Sequence, residues 1–133
     1  MIITREQKVA MLAADKNLLF QAIKQRVVRD YQAIVKGIPD DMLAGMINHG
    51  IEKAKSFGLT HPFDIAGFVY IMFEVGPEFY RHPKILPILS SITIPPERKM
   101  DTMIEQTQPM VWQQCMEVLD RQTWFPELRE QEE

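Results

Sequence analysis

Apolar residues recur at three- and four-residue intervals over the first quarter of the chain and are separated by polar positions. This spacing places them on one face of an α-helix, and Thr4 followed by Gln7 matches the capping box that starts a helix. Gly37 suits the position just beyond a helix end. We therefore predict a first helix of about eight turns. Its apolar positions are Val9, Leu12, Leu19, Phe20, Ile23, Val27, Tyr31, Ile34 and Val35.

A second periodic segment begins after Pro39, which suits the first turn of a helix. Asp40 and Asp41 complement the positive end of the helix macrodipole, and Gly58 follows the last periodic position. These signals predict a second helix between Pro39 and Gly58. Its apolar positions are Met42, Leu43, Met46, Ile47, Ile51 and Ala54.

A third helix is predicted over about residues 62–76, with Thr60 as its N-cap and Pro62 in its first turn. Residues 65–75 are apolar almost all round, which is typical of a buried central helix. Glu74 and Tyr70 are the only ionisable residues of this stretch.

A buried strand is the alternative for the same stretch, because VYIMFEV is rich in β-forming residues. No partner strand is indicated elsewhere in the chain, which favours the helix. The small residues Ala66 and Gly67 would let a neighbouring helix approach closely.

Prolines limit the length of the helices in the remainder of the chain. Gly76-Pro77 ends the third helix, and a turn or single helical coil follows before a short helix over Lys84–Ser91. A proline-started last helix contains Pro109, which predicts a kink or a break. The sequence thus predicts one all-α domain over residues 1–123, a bundle of five to six helices, and a partly mobile tail over residues 124–133.

Composition and charge narrow the functional classes. The chain has 133 residues, 46% apolar and 25% charged, with one cysteine and no apolar segment long enough for a membrane span. These features predict a cytoplasmic protein without a disulfide framework. Residues 1–36 carry a net charge of +4, residues 37–96 carry −2 and residues 97–133 carry −5.

The charge asymmetry has two interpretations. It can mark a binding face, or the basic first helix can pack beside the acidic last one while the terminal EQEE is solvated. We favour the second interpretation. The pI of about 5.6 argues against nucleic-acid binding.

No residue set matches a known catalytic or metal-binding pattern. His61 and Asp64 lie three residues apart and His82 could return from a loop, but the spacing fits no zinc motif, and we expect neither a metal nor a cofactor. Cys115 occupies an apolar helical position, which is typical of an inert buried thiol. We expect Glu74, inside an apolar helix, to be paired with Arg or Lys or to have a raised pKa.

Aromatic residues outside the predicted helical core are the candidates for binding a partner. We select Phe79, Tyr80 and His82 in the turn after the central helix, and Trp124 and Phe125 in the tail. The nine methionines provide an adaptable partner surface or, as we favour, ordinary core residues.

One segment resembles a known family. The positions that carry the resemblance are His49-Gly50, Ala54, Phe57-Gly58-Leu59, Asp64, Phe68, Gly76-Pro77-Glu78-Phe79, Pro83 and Leu89, and the opening Thr4-Arg5-Glu6-Gln7 is similar too. They resemble small all-helical bacterial proteins encoded beside type VI secretion spike, PAAR and Rhs-type toxin genes. Family members often carry an acidic residue where Arg81-His82 stands here. The resemblance spans about two-thirds of the chain and implies a cytoplasmic accessory protein, namely an effector adaptor, chaperone or immunity protein.

These observations predict a non-enzymatic interaction module whose partner is another protein, a toxin or effector of a type VI system. The alternative is a small helical enzyme or ligand-binding protein that uses Glu74 with His61 and His82. A homodimeric structural protein is a third hypothesis.

Overall fold

The protein is described here by a computed structural model that covers residues 4–14 and 16–117. Within these ranges the chain is 74% helical, with eight helices and no strand. The all-α prediction is confirmed, and the strand alternative for the central segment is wrong. The proposed tail over residues 124–133 lies outside the described residues.

The described residues form more helices than the sequence predicts because three helices stand where the first was predicted and two where the last was predicted. Pro109 divides the last helix, since Thr107 and Gln108 before it adopt extended conformations. In chain order the elements are α1 (Arg5–Ala14), α2 (Lys16–Asp30), α3 (Gln32–Val35), α4 (Asp40–Ser56), α5 (Pro62–Glu74), a 3₁₀ turn (Phe79–Arg81), α6 (Leu86–Leu89), α7 (Pro96–Gln106) and α8 (Pro109–Met116).

The predicted capping box at the start of the first helix is confirmed by both of its hydrogen bonds. The Thr4 amide donates to Gln7 Oε1 at 3.0 Å, and the Gln7 amide donates to Thr4 Oγ1 at 3.1 Å. The predicted eight-turn helix is nevertheless interrupted at Tyr31, whose φ of −122° and ψ of 37° lie outside the helical region. Gly37, with φ +81°, follows α3 as predicted.

The C-terminus of α4 is closed by a Schellman motif. Gly58 has φ +88° and its amide donates to the Lys55 carbonyl, while the Leu59 amide donates to the Ala54 carbonyl. Lys99 of α7, only 7% exposed, donates from Nζ to the Phe57 carbonyl at 2.8 Å. A lysine at the negative end of a helix is favourable, and here it also ties α7 to α4.

The N-cap of α5 differs from the predicted one. His61, rather than Thr60, caps the helix, because its Nδ1 accepts a hydrogen bond from the Phe63 amide at 3.1 Å. Pro62 occupies the first turn as predicted.

The buried central helix is confirmed as α5, which packs against α1, α2, α4 and α7. A close approach between α5 and α4 occurs at Gly50. A Cβ atom at Gly50 would lie 3.0 Å from Val69 Cγ2 and 3.1 Å from Met72 Sδ. At Gly67 the nearest atom, Met100 Cε, would be 3.5 Å away, so the tighter helix contact is made through α4.

This difference predicts opposite effects for two alanine substitutions. Gly50→Ala and Gly67→Ala each add about 1 kcal/mol of helix propensity. At Gly67 the new methyl makes an ordinary contact, so we expect a gain of about 0.5–1 kcal/mol in the free energy of unfolding. At Gly50 it would overlap the stiff Val69 side chain, so we expect a net loss of about 1–2 kcal/mol. Urea unfolding of both variants measures the difference, and equal stabilisation by both would contradict the close α4–α5 packing.

Candidate functional site

Two of the aromatic residues selected from the sequence belong to the core. Phe79 and Tyr80 are 2% and 4% exposed, and their rings lie 5.0 and 5.8 Å from that of Phe68. In this position their side chains offer almost no surface to a partner, because the first turn after α5 folds them back onto the bundle. Trp124 and Phe125 lie outside the described residues.

His82 is half-buried and organises the turn that contains it. Its Nδ1 accepts from the Lys84 amide at 3.0 Å, so the proton of the neutral ring is on Nε2, which donates to Gln114 Oε1 at 2.7 Å. The His61 ring accepts from the Phe63 amide in the same way. Both His-Pro pairs are therefore turn elements, and the partner-binding role of His82 stays a prediction.

The carboxylate of the alternative site lies far from one of its two histidines. His61 and Glu74 stand at opposite ends of α5, about 20 Å apart at 1.5 Å per residue. His82 is directed towards α8 through Gln114. Among residues 4–14 and 16–117 no group of three His, Cys, Asp or Glu side chains is arranged to hold a metal ion.

A groove of about 560 Å³ lies between α2 and α5, and α1 and α7 contribute to it. Its lining is apolar along the middle, cationic on the α1–α2 side and tyrosine-rich where α2 and α5 end. The lining residues are Lys8, Leu12, Leu19, Ala22, Ile23, Gln25, Arg26, Arg29, Tyr31, Pro62, Phe63, Ala66, Gly67, Tyr70, Ile71, Glu74, Met100 and Ile104. We call this surface the α2–α5 groove.

The groove exists because one stripe of α5 is incompletely covered. Phe63, Gly67, Tyr70 and Ile71 recur at helical spacing and are half-buried, and Glu74 continues the stripe as an exposed residue. The opposite face of α5 is fully buried against α4. A helix that is apolar on nearly every side is thus left with one side facing solvent.

The polar end of the groove is a cluster of two tyrosines, one carboxylate and one guanidinium. The Tyr31 hydroxyl donates to Glu74 Oε2 at 3.4 Å, and the ring of Tyr31 stacks on that of Tyr70 with centroids 6.5 Å apart. The Arg26 guanidinium lies 4.3 Å from the Tyr70 centroid, a cation–π contact. This cluster joins the C-terminal ends of α2 and α5.

One of the two expectations for Glu74, an ion pair with Lys or Arg, is not met within the described residues. Glu74 is exposed because it lies on the open stripe of α5, while its neighbours Phe73 and Val75 stay buried, and no Lys or Arg of the described chain forms an ion pair with it. The nearby arginines are engaged by Asp30 instead. Arg29 makes two hydrogen bonds to this carboxylate, at 2.8 and 3.1 Å, and Arg26 Nε lies 3.4 Å from it.

The two tyrosines remain neutral hydrogen-bonding groups. Burial raises the pKa of Tyr31, and the Glu74 carboxylate raises it further. Burial also raises the pKa of Tyr70, against the opposing effect of Arg26. Because the raised pKa favours the protonated phenol in the fold, the stability that these groups contribute is complete below about pH 10 and is lost at higher pH.

Chemically, this surface is equipped for binding through apolar contact, cations and neutral hydroxyl groups. Cys115 lies elsewhere, buried on α8, and burial raises the pKa of its thiol. Sequence reasoning identified Glu74 but missed Arg26, Tyr31 and Tyr70 as its neighbours. Glu74 within an apolar helix was the available signal, since a carboxylate in such a helix indicates that one side reaches solvent.

Comparison with known proteins identifies no relative of this chain. No protein-family model matches the chain, and no significant match is found among curated proteins or solved structures. The resemblance to proteins encoded near type VI secretion genes therefore stays a prediction. No helix of the described ranges is both long and apolar enough to cross a membrane.

The tyrosine cluster can be tested by titration. We expect Arg26→Met to raise the pKa of Tyr70, because the substitution removes the cation that favours the phenolate. We expect Glu74→Gln to lower the pKa of Tyr31, because it removes the carboxylate that disfavours the phenolate. Carbon NMR of the tyrosine rings measures each pKa separately.

Tyr80 serves as the internal reference for this titration, since its charged neighbours are Arg81, Glu78 and Lys53 rather than either substituted residue. Unchanged pKa values for Tyr31 and Tyr70 in both variants would contradict the cluster geometry.

Proposed function

We propose that the protein is a non-enzymatic interaction module that binds another protein through the α2–α5 groove. The observation that carries this proposal is the incompletely covered stripe of α5. Burying apolar surface is the main favourable contribution to protein association, and a central helix left half-open supplies such surface beside positioned polar groups.

Exposed apolar residues around the groove support the same interpretation. Ile104 of α7 is 56% exposed and lines the groove. Met11 and Leu18 are also exposed and line a neighbouring depression of about 430 Å³ that shares Leu12 and Ala22 with the groove. The groove and this depression therefore adjoin each other along α1 and α2.

The family resemblance supplies the context of the proposal. The partner would be a toxin or effector of a type VI secretion system, and this protein would be its cytoplasmic adaptor, chaperone or immunity protein. In each role the groove would act by covering an apolar segment of the partner and excluding water from it.

A small-molecule ligand is the second candidate occupant. Its supporting observation is the groove volume of about 560 Å³, which lies within the range of small-ligand sites. The Tyr31 and Tyr70 hydroxyls would then orient the ligand. No histidine lines the groove within the described chain, so in this candidate the ligand would contact Glu74 and the tyrosines rather than a Glu74–histidine pair.

Site-specific cross-linking distinguishes these functions. A benzoylphenylalanine residue is introduced in place of Ile104 and, as the control, in place of Met110, which is 65% exposed on α8 and outside the groove lining. After irradiation in the native host, we expect a covalent adduct with one protein species from position 104 and none from position 110.

Two further outcomes bear on the proposal. Glu74→Gln should leave the adduct intact, because a single long hydrogen bond in solvent contributes about 1 kcal/mol or less. Equal adducts from positions 104 and 110, or a small molecule retained on the purified protein in place of any protein adduct, would contradict the interaction module.

A further inference from the structure

We propose that the occupant of the α2–α5 groove is an amphipathic α-helix of the partner, about three turns long, with an acidic flank facing α1 and α2. This inference rests on the proposed function and specifies the partner segment that the groove accepts.

The length follows from the groove walls. The open stripe of α5 runs from Phe63 to Glu74, which corresponds to about 17 Å of helix at 1.5 Å per residue. The residues in the middle of this stripe, Ala66 and Gly67, have small side chains or none. Small residues on the floor let the backbone of a docked helix come close, and three turns cover the stripe from end to end.

The helical conformation follows from the geometry of the surface. The walls of the groove are the helices α2 and α5. A docked helix would therefore place its apolar side chains at i, i+3, i+4 and i+7 against apolar lining residues such as Leu19, Ile71 and Ile104. Binding of a partner segment as an added β-strand would require an exposed sheet edge, and the described residues contain no strand. A helix satisfies its own backbone hydrogen bonds and needs only the apolar contact.

The charge of one flank follows from the cations of the α1–α2 wall. Lys8, Arg26 and Arg29 line this wall, whereas Glu74 is the acidic residue of the lining. Asp30 offsets one of the two arginines, which leaves the wall with a net charge of about +2. At the opposite end of the α5 stripe the Arg5 guanidinium lies 5.2 Å from the centroid of the Phe63 ring. Carboxylates along the facing flank of the partner helix would meet positive charge at both ends.

Two synthetic helical peptides of about 14 residues test the proposal with the full-length protein. Both carry leucine at i, i+3, i+4 and i+7, and the flanking positions are glutamate in one and lysine in the other. We expect the glutamate peptide to bind at least about tenfold more tightly at low salt, and we expect the difference to shrink as salt screens the exposed charges. Fluorescence anisotropy gives both affinities.

Matched variants locate the binding. Ile104→Gln should weaken both peptides, whereas Met110→Gln should weaken neither. Lys8→Glu should remove most of the preference for the glutamate peptide, whereas Lys36→Glu makes the same charge change at an exposed position outside the groove and should preserve it. Circular dichroism verifies that each variant is folded.

The failures of the two proposals are distinguishable. Equal binding of both peptides, preference for the lysine peptide, or affinities insensitive to Ile104→Gln would overturn the acidic-helix occupant, even where cross-linking at position 104 captures a protein. A concentration-dependent dimer that Ile104→Gln dissociates would also overturn it, because the occupant would then be a second copy of the chain.

Discussion

The close contact between α4 and α5 at Gly50 is the constraint on which the rest of the structure depends. With no side chain there, Val69 and Met72 of the central helix reach the backbone of α4, and the two helices bury one complete face of α5. Protein interiors are close-packed and admit few alternative arrangements. The packing of α5 against α4 therefore determines which way the other faces of α5 point. The 3₁₀ turn then folds back with Phe79 and Tyr80 against Phe68, which closes the core on the side of α8.

The same packing creates the surface that we assign to function. Since α4 covers one face of α5, the helices α1, α2 and α7 must cover the remainder, and they leave the stripe from Phe63 to Glu74 partly open. The tyrosine cluster lies at one end of this stripe, and Arg5 lies over the Phe63 ring at the other end. An open stripe on a central helix costs stability when it faces water, which is the physical reason to regard it as a binding surface rather than as unused surface.

The two histidines of the central segment, which were candidates for a chemical site, have structural roles in turns. His61 and His82 each accept the amide of the residue two positions on, and in both cases an intervening proline holds the turn. Spacing alone cannot separate a histidine that caps a turn from one that binds a ligand, because both need an accessible ring nitrogen. Glu74 was identified for a sound reason, its isolation in an apolar helix, but its partner proved to be the hydroxyl of Tyr31, forty-three positions earlier in the chain.

The sequence by itself determined the local elements: the Thr4–Gln7 capping box, the helix-ending Gly37 and Gly58, the apolar helix after Pro62 and the break before Pro109. Each of these depends on groups a few residues apart, whose hydrogen bonds and steric limits operate within one turn. Only the tertiary structure decided that Lys99 binds the Phe57 carbonyl, that Phe79 and Tyr80 are core residues, and that Arg26, Tyr31, Tyr70 and Glu74 form one cluster. These pairings join distant parts of the chain, and they follow from how the helices pack rather than from any pattern within one helix.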